Sequence, residues 1–306
     1  MKTCALIYNP NSGKTLKPRH IKDYRKILKK RGYDLTVYRT EYRGHAREIV
    51  NHLVDADLVI SMGGDGTFNE VMDGNLKRQN RLILSHIPVG TTNDVGVMFG
   101  YGKNIKQNLK YLLNGVVKGI DVCLINNKPF VYVAGFGKFM QISYDTPREL
   151  KKKLGKFAYL TEGFKDFFKP TKLYKIKYRV NGIEKEGYYS FMLISNANRI
   201  AGINNFYRNI KLDDNKLEVL FCNFKRRIDM IKTFSILMTT DVSKVSGFEF
   251  YRTNKLEVTF EDYPKKAWTV DGERLDRAVL HYDIKNERDV KIMLPRKNID
   301  KLFVKK

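Results

Sequence analysis

A chain of 306 residues with 42% hydrophobic and 29% charged residues has the composition of a soluble globular protein, long enough for two domains. A formal net charge of +24 favours polyanionic partners, either nucleic acid or an anionic membrane surface. No apolar run approaches the ~18–20 residues of a membrane span; Cys4, Cys123 and Cys222 form no disulfide framework, and His20, His45, His52, His86 and His281 show no metal-ligand spacing.

The first ~125 residues alternate between strand and helix, the pattern of a parallel sheet with crossover connections. Thr3–Tyr8 reads as a strand, and Asn9-Pro10 cuts its apolar stretch too short for a signal peptide. A Lys/Arg-rich helix is predicted around Ile21–Arg31, a strand at Asp34–Thr40 and a helix from about His45 to Leu53. A strand at Asp57–Met62, a helix after Thr67 and a strand at Leu82–Val89 complete this half.

Beyond Ile125 the pattern changes. Leu173–Val180 alternates apolar and basic residues and ends in Asn181-Gly182, a strong hairpin signal. Further strands are predicted at Tyr188–Ser195, Lys216–Phe224, Lys255–Phe260, Ala267–Val270, Val279–Asp283 and Val290–Leu294, as in an antiparallel sandwich. A basic, Phe-containing stretch, Arg148–Pro170, lies between the halves.

The chemistry gathers in turns. Gly13-Lys14-Thr15 resembles the end of a P-loop, but Tyr8 stands where that pattern needs glycine, so Asn9-Pro10-Asn11-Ser12-Gly13 is a turn after the first strand. Gly63-Gly64-Asp65-Gly66-Thr67 sits where a buried strand passes into a helix, and Gly90-Thr91-Thr92-Asn93-Asp94 closes a third strand. In an open parallel sheet such turns collect at one edge, where bare backbone N–H groups and a helix N-terminus receive phosphate. Asp65 and Asp94 add the paired carboxylates that a hydrated Mg²⁺ requires. Taken singly, each Asp also suits a cap or a turn.

Asn9–Gly13, Gly44-His45-Ala46, Gly63–Asn69 and Gly90–Asp94, in this order, resemble segments of the bacterial diacylglycerol kinase family of soluble lipid kinases, whose catalytic domain is shared with sphingosine and ceramide kinases. Lys211-Leu212-Asp213-Asp214 and Trp268-Thr269-Val270-Asp271-Gly272-Glu273 resemble that family's metal segment and its Asp-Gly-Glu segment. The resemblance implies an α/β fold like that of NAD kinase and diacylglycerol kinase. A Rossmann-like, parallel-sheet ATP-binding domain (residues 1–125, with the tail from about 290 to 306 packing back on it) would precede an antiparallel β-sandwich lipid domain (126–289), with the active site in a cleft between them.

Position by position, the resemblance assigns ATP contacts to Asn9, Pro10, Asn11, Ser12, Gly13, Thr40, Gly63, Gly64, Asp65, Gly66, Thr67, Phe68, Asn69, Glu70, Thr91 and Asn93. It assigns a structural Mg²⁺ to the Asp214 side chain and the carbonyls of Lys211 and Lys216. Asp271 and Glu273 become the acid/base candidates, with Asp65 and Asp94 completing the acidic cluster. Asp271-Gly272 also reads as a two-residue hairpin turn between Ala267–Val270 and Val279–Asp283. The chain departs from the family pattern at Asn215-Lys216, where Asn215 still tolerates left-handed backbone and the Lys216 side chain must point away from an ion. It departs again at Val95-Gly96-Val97, which lacks the usual aromatic residue.

The expected reaction is ATP- and Mg²⁺-dependent phosphorylation of diacylglycerol to phosphatidic acid; phosphatidylglycerol, a ceramide or a sphingoid base are alternative acceptors. NAD kinase is a further enzyme alternative, which Gly90–Asp94 argues against. The chain is expected to be cytoplasmic, to bind the inner face of the membrane peripherally and to bind no nucleic acid, with a homodimer left open. Lys151–Lys153, Lys156, Lys165 and Lys169, interleaved with Phe157, Phe164, Phe167 and Phe168, read equally as a membrane footprint or as aromatics packed into the β-domain beside solvated lysines, and Lys175, Lys177 and Arg179 form a second basic face, read as solvated. A basic nucleic-acid-binding module would explain the charge but leave the glycine-acid turns without a purpose.

Overall fold

A computed structural model describes residues 1–13, 17–138, 171–200, 203–204, 206–207, 209–223 and 248–305. Two compact units emerge, Met1–Ile120 with Arg288–Lys306, and Asp121–Glu287.

In the first unit the strands β1 (Lys2–Tyr8), β2 (Tyr33–Arg39), β3 (Leu58–Gly63) and β4 (Leu84–Pro88) alternate with helices α1 (Pro18–Lys29), α2 (His45–His52) and α3 (Asp65–Leu76). Helices α4 (Asp94–Met98) and α5 (Ile105–Leu113) follow β4. The strands are parallel in the order β2-β1-β3-β4. Every residue of β3 and β4 is buried, as in parallel sheets covered on both faces. Register places Tyr8 opposite Arg39 and Met62, and Gly63 opposite Pro88. Consequently β1, β3 and β4 end together, and the turns after them start side by side. The chain runs from β1 outward to β2 and then returns to the other side of β1 at β3. That reversal makes the β1/β3 edge the topological switch point, where open α/β sheets bind ligands.

Two boundaries differ from expectation. Helix α1 begins at Pro18, three residues before Ile21, because proline's fixed φ and missing N–H suit a first helical position. Helix α3 begins at Asp65, since extended Gly64 (φ −86°, ψ −177°) already serves as its cap.

The chain enters the second unit through β5 (Val116–Ile125), then forms β6 (Lys128–Phe130), β7 (Val133–Gly137), β8 (Tyr174–Val180), β9 (Ile183–Tyr189) and β10 (Phe191–Ser195). The short β11 (Arg199–Ile200) and β12 (Ile203–Asn204) precede β13 (Leu217–Cys222), β14 (Phe248–Thr253), β15 (Lys255–Phe260), β16 (Thr269–Val270), β17 (Glu273–Arg274) and β18 (His281–Leu294). One antiparallel layer runs β18-β15-β8-β9, and another β14-β13-β10-β7-β16-β17. Ile176, Tyr178, Leu256 and Val258 of the first layer share one buried core with Phe136, Met192, Ile194, Val219 and Phe221 of the second. The β8–β9 hairpin turns at Asn181 (φ 51°) and Gly182 (φ 78°), two left-handed positions that these residue types tolerate.

The predicted strands Val279–Asp283 and Val290–Leu294 are one continuous strand, β18. Polar Lys285-Asn286-Glu287-Arg288 breaks the apolar pattern without breaking the extended backbone. The expected second basic face is also altered: Lys175 meets Glu261 at 2.7 Å, Lys177 meets Glu186 at 3.7 Å, and Arg179 pairs with Glu184 and with Glu257. Neighbouring strands neutralise that stripe. The predicted membrane footprint, Lys151–Lys153, Lys156, Phe157, Phe164, Lys165, Phe167, Phe168 and Lys169, lies outside the described residues.

Candidate active site

Glycine contacts in the first unit bring its three turns together. A methyl group added to Gly13 (φ 52°) would sit 1.8 Å from the Val89 carbonyl oxygen, and one added to Gly90 would sit 2.7 Å from the Gly64 Cα. The turns after β1, β3 and β4 therefore meet backbone against backbone, leaving no room for a side chain. The Asn9 side chain ties the first turn to the second by donating to Thr67 Oγ1 at 3.1 Å, and its own oxygen accepts the Asn11 N–H at 2.9 Å. Ser12 N–H bonds back to the Asn9 carbonyl. Helix α3 starts within this cluster, with Gly64 at its cap. Exposed Thr91 and left-handed Asn93 (φ 54°), whose amide donates to the Gly90 carbonyl at 2.8 Å, shape the third turn. Buried Thr40 anchors the end of β2 to Tyr8 through its N–H.

Two acidic residues of this unit, Asp65 and Glu70, join separate turns and helices. Asp65 accepts the N–H groups of Asp94 (3.0 Å) and Val95 (3.2 Å), capping α4 and locking the second turn to the third. Glu70 accepts the N–H groups of Gly44 (2.9 Å) and Ala46 (3.3 Å), doing the same for α2. Gly66 and Asn69 are partly exposed on α3, and Asp94 is buried. Phe68, which the resemblance places among the ATP contacts, lies in α3. Its ring is fully buried, stacked on His86 at 4.8 Å and edge-on to Phe99, so only its backbone can face a ligand.

His86, which has no metal-ligand spacing in the sequence, is fully buried. Burial drives its imidazole down to about 3, with a hydrogen bond to Ser61 opposing the shift, and Nε2 has no partner among the described residues. It is a neutral core group. The three thiols are buried and unlinked; burial pushes Cys4 up to about 12 and raises Cys123 and Cys222 further, which leaves them unreactive.

In the second unit Asp271 and Gly272 form the two-residue turn between β16 and β17, at φ 47° and 83°. The hairpin partner is thus Glu273–Arg274 rather than Val279–Asp283. The buried Asp271 carboxylate accepts three successive backbone N–H groups: Val131 at 2.7 Å, Tyr132 at 3.1 Å and Val133 at 3.0 Å. These bonds fix its orientation and that of the turn carrying exposed Glu273.

The Lys211–Lys216 segment bends at left-handed Asn215 (φ 56°), whose N–H donates to Asp121. Asp214 Oδ1 accepts the Lys216 N–H at 3.0 Å, and Oδ2 accepts the Arg252 guanidinium at 2.6 Å. Arg252 also reaches buried Glu218 at 3.1 Å, whose carboxyl is pushed up to about 8 by burial, against the pull of Arg252. Carboxylate and carbonyl oxygens are donors that suit Mg²⁺, and a carboxylate has about four acceptor positions, so the segment fits an ion in kind. Arg252, absent from the sequence reading, competes for the same oxygen. Its separation of 38 residues from Asp214 left no local signal.

A profile of the diacylglycerol kinase catalytic domain matches residues 3–125, the strands and turns that build the glycine cluster. A diacylglycerol kinase of Staphylococcus epidermidis (strain ATCC 12228 / FDA PCI 1200) is 34% identical over 215 residues, 70% of this chain and 68% of its own. The chain belongs to the bacterial diacylglycerol kinase family. It is a lipid kinase, a phosphotransferase of the diacylglycerol kinase type. A diacylglycerol kinase of Bacillus subtilis (strain 168) is 28% identical over 278 residues, covering 89% of this chain and 90% of that one. A crystal structure of a diacylglycerol kinase from Bacillus anthracis str. Sterne shares the fold, with a TM-score of 0.77 at 23% identity over 97% of this chain and 99% of that one.

Proposed function

We propose that this lipid kinase transfers the γ-phosphoryl group of ATP to the free hydroxyl of diacylglycerol, giving phosphatidic acid and ADP. The observation that carries the reading is the packing of three glycine turns against each other at the switch point of a parallel sheet, with the start of α3 among them. Backbone N–H groups from Asn9–Gly13, Gly63–Thr67 and Gly90–Asn93 cradle the phosphates, and the α3 N-terminus faces their charge. Asp65 and Asp94 hold the geometry of the second and third turns, and would hold the hydrated magnesium that accompanies the nucleotide. Mg²⁺, when bound, neutralises charge developing on the phosphoryl oxygens.

In the transfer the lipid hydroxyl oxygen bonds to the γ-phosphorus, and the bond to the bridging oxygen of ADP breaks in line. The hydroxyl proton passes to a carboxylate of the Asp271-Gly272-Glu273 turn. Asp271 is aimed by its three backbone donors, and Glu273 stands two residues further along the same hairpin. A structural Mg²⁺ at Asp214, with the carbonyls of Lys211 and Lys216, would brace the turn before β13. No helix among the described residues is long and apolar enough to cross a membrane. Access to a bilayer substrate is read as peripheral, from the inner face, as the family resemblance implies.

Labelled ATP, Mg²⁺ and a panel of diacylglycerol, phosphatidylglycerol, ceramide and sphingoid base test the assignment. The expected outcome is a single labelled product, phosphatidic acid, abolished by Asp65→Ala. Labelling of another lipid in preference would move the acceptor, and no ATP turnover would overturn the reading.

A further inference from the structure

Arg252 divides one edge of its guanidinium between two acids. Strands β13 and β14 pair with Glu218 opposite Arg252, so the two side chains leave the sheet on the same face. Arg252 Nε donates to Glu218 Oε1 at 3.1 Å, and Nη2 donates to Asp214 Oδ2 at 2.6 Å. Those two nitrogens form a fork that can grip both oxygens of a single carboxylate, and here the fork is split. Glu218 is buried, and its second oxygen, Oε2, has no hydrogen-bond partner among the described residues. A buried carboxylate oxygen without a donor is costly, yet the donor that could satisfy it is engaged on Asp214.

Asp214 draws the fork away. Its Oδ1 is committed to the Lys216 N–H, so Oδ2 is the oxygen open to a cation, and the guanidinium sits on it. The bend itself is set apart from Arg252, by left-handed Asn215 and its N–H bond to Asp121. With the Asp214 side chain 18% and that of Arg252 39% exposed, a hydrated ion can approach from solvent. Mg²⁺ takes oxygen ligands; a guanidinium offers none and keeps its charge at any ordinary pH. Arg252 can therefore neither share Oδ2 with an ion nor give up a proton to admit one. It can only move, and the unpartnered Oε2 supplies the place. A rotation that keeps the Nε bond brings Nη2 to Oε2, pairing both oxygens of Glu218 and freeing Asp214.

We propose that Arg252 is a built-in competitor for the cation at Asp214, bridging Asp214 and Glu218 when Mg²⁺ is scarce and closing on Glu218 alone when Mg²⁺ binds. The proposal rests on the reading above that Asp214 holds an ion. Arg252 thereby sets the Mg²⁺ concentration at which the turn before β13 exchanges one brace for the other. A charge-assisted hydrogen bond at a partly exposed carboxylate corresponds to roughly a five- to tenfold change in an equilibrium, and the Mg²⁺ requirement rises by that factor.

The test follows thermal unfolding of the full chain, without nucleotide, across a Mg²⁺ series at constant ionic strength, because salt alone weakens an exposed ion pair. Arg252→Gln combined with Glu218→Gln removes the competitor without leaving a buried charge unpaired, and circular dichroism checks the fold. Wild type is expected to gain stability with Mg²⁺, and the double variant to reach half of its gain at a concentration about five- to tenfold lower. Glu218→Gln alone, which takes away the second position of the fork, should move that midpoint upward. Adding Asp214→Asn should abolish the gain in both backgrounds. Equal midpoints in wild type and double variant, with the gain still dependent on Asp214, would overturn the competition and leave the ion reading intact. Absence of any Asp214-dependent gain in either protein would overturn both. A gain in the double variant alone would support the proposal, Arg252 then excluding the ion from the wild type across the whole series.

Discussion

At Asp271 three N–H donors converge on two oxygens, so exchanging either oxygen for an amide NH₂ sets donor against donor. Asp271→Asn should therefore lower stability by about 1–3 kcal/mol in addition to abolishing phosphoryl transfer. Glu273→Gln, on an exposed side chain, should change stability by no more than about 0.5 kcal/mol while reducing kcat by roughly 10²–10⁴-fold if it takes the proton. Chemical denaturation beside steady-state kinetics separates the two residues; an Asp271→Asn protein as stable as wild type would refute the anchoring role. His86 gives a pH prediction. Its folded-state value, near 3, lies below the ordinary ~6.5, so the unfolded chain takes up the proton first as pH falls. More protons bound in the unfolded state means stability falls with pH between about 6.5 and 3. From pH 7 to pH 5 the loss should be about 2 kcal/mol. His86→Phe, which keeps an aromatic ring against Phe68, should lack that part of the slope.

The glycine turns act as elements rather than as single residues. Gly90→Ala would force the third turn away from Gly64, and with it the start of α3. The expected result is a cost of about 1–3 kcal/mol and at least a 100-fold loss in kcat/KM for ATP. Gly102→Ala is the control, because nothing lies within 4 Å of the added carbon. Unchanged ATP kinetics in Gly90→Ala would break the link between turn packing and nucleotide binding. These turns were legible in the sequence because parallel strands buried on both faces read as continuous apolar runs, and what interrupts them is necessarily a turn. Asn181-Gly182 was legible for a comparable reason, since few residue pairs tolerate two successive left-handed positions. The caps were not legible. Glu70 meets Gly44, and Asp65 meets Val95, across 26 and 30 residues. Only folding brings such acids to distant helix ends. Arg252 at Asp214 and Glu218 belongs to the same class.

At the scale of the whole molecule, the first unit is not continuous in sequence. Its closing segment arrives after the second unit, pairing Ile292 with Leu84 in parallel and placing the Leu294 carbonyl 2.0 Å from where a Gly115 side chain would start. Ser85 Oγ donates to the Met293 carbonyl at 2.8 Å, and the Asn298 amide to the Met98 carbonyl at 2.8 Å. Ile292, Leu294, Leu302 and Phe303 are all buried. Burial of four such side chains contributes on the order of 6–12 kcal/mol, comparable with the whole stability of an ordinary domain, about 5–15 kcal/mol. A fragment of residues 1–120 should therefore fail to fold cooperatively, although it holds every glycine turn. The same fragment joined to residues 288–306 through a flexible linker should recover a cooperative transition and bind a fluorescent ATP analogue. Residues 121–287 expressed alone should show the antiparallel signature by circular dichroism. Cooperative unfolding of the unextended fragment would mean that the nucleotide half needs nothing from the end of the chain.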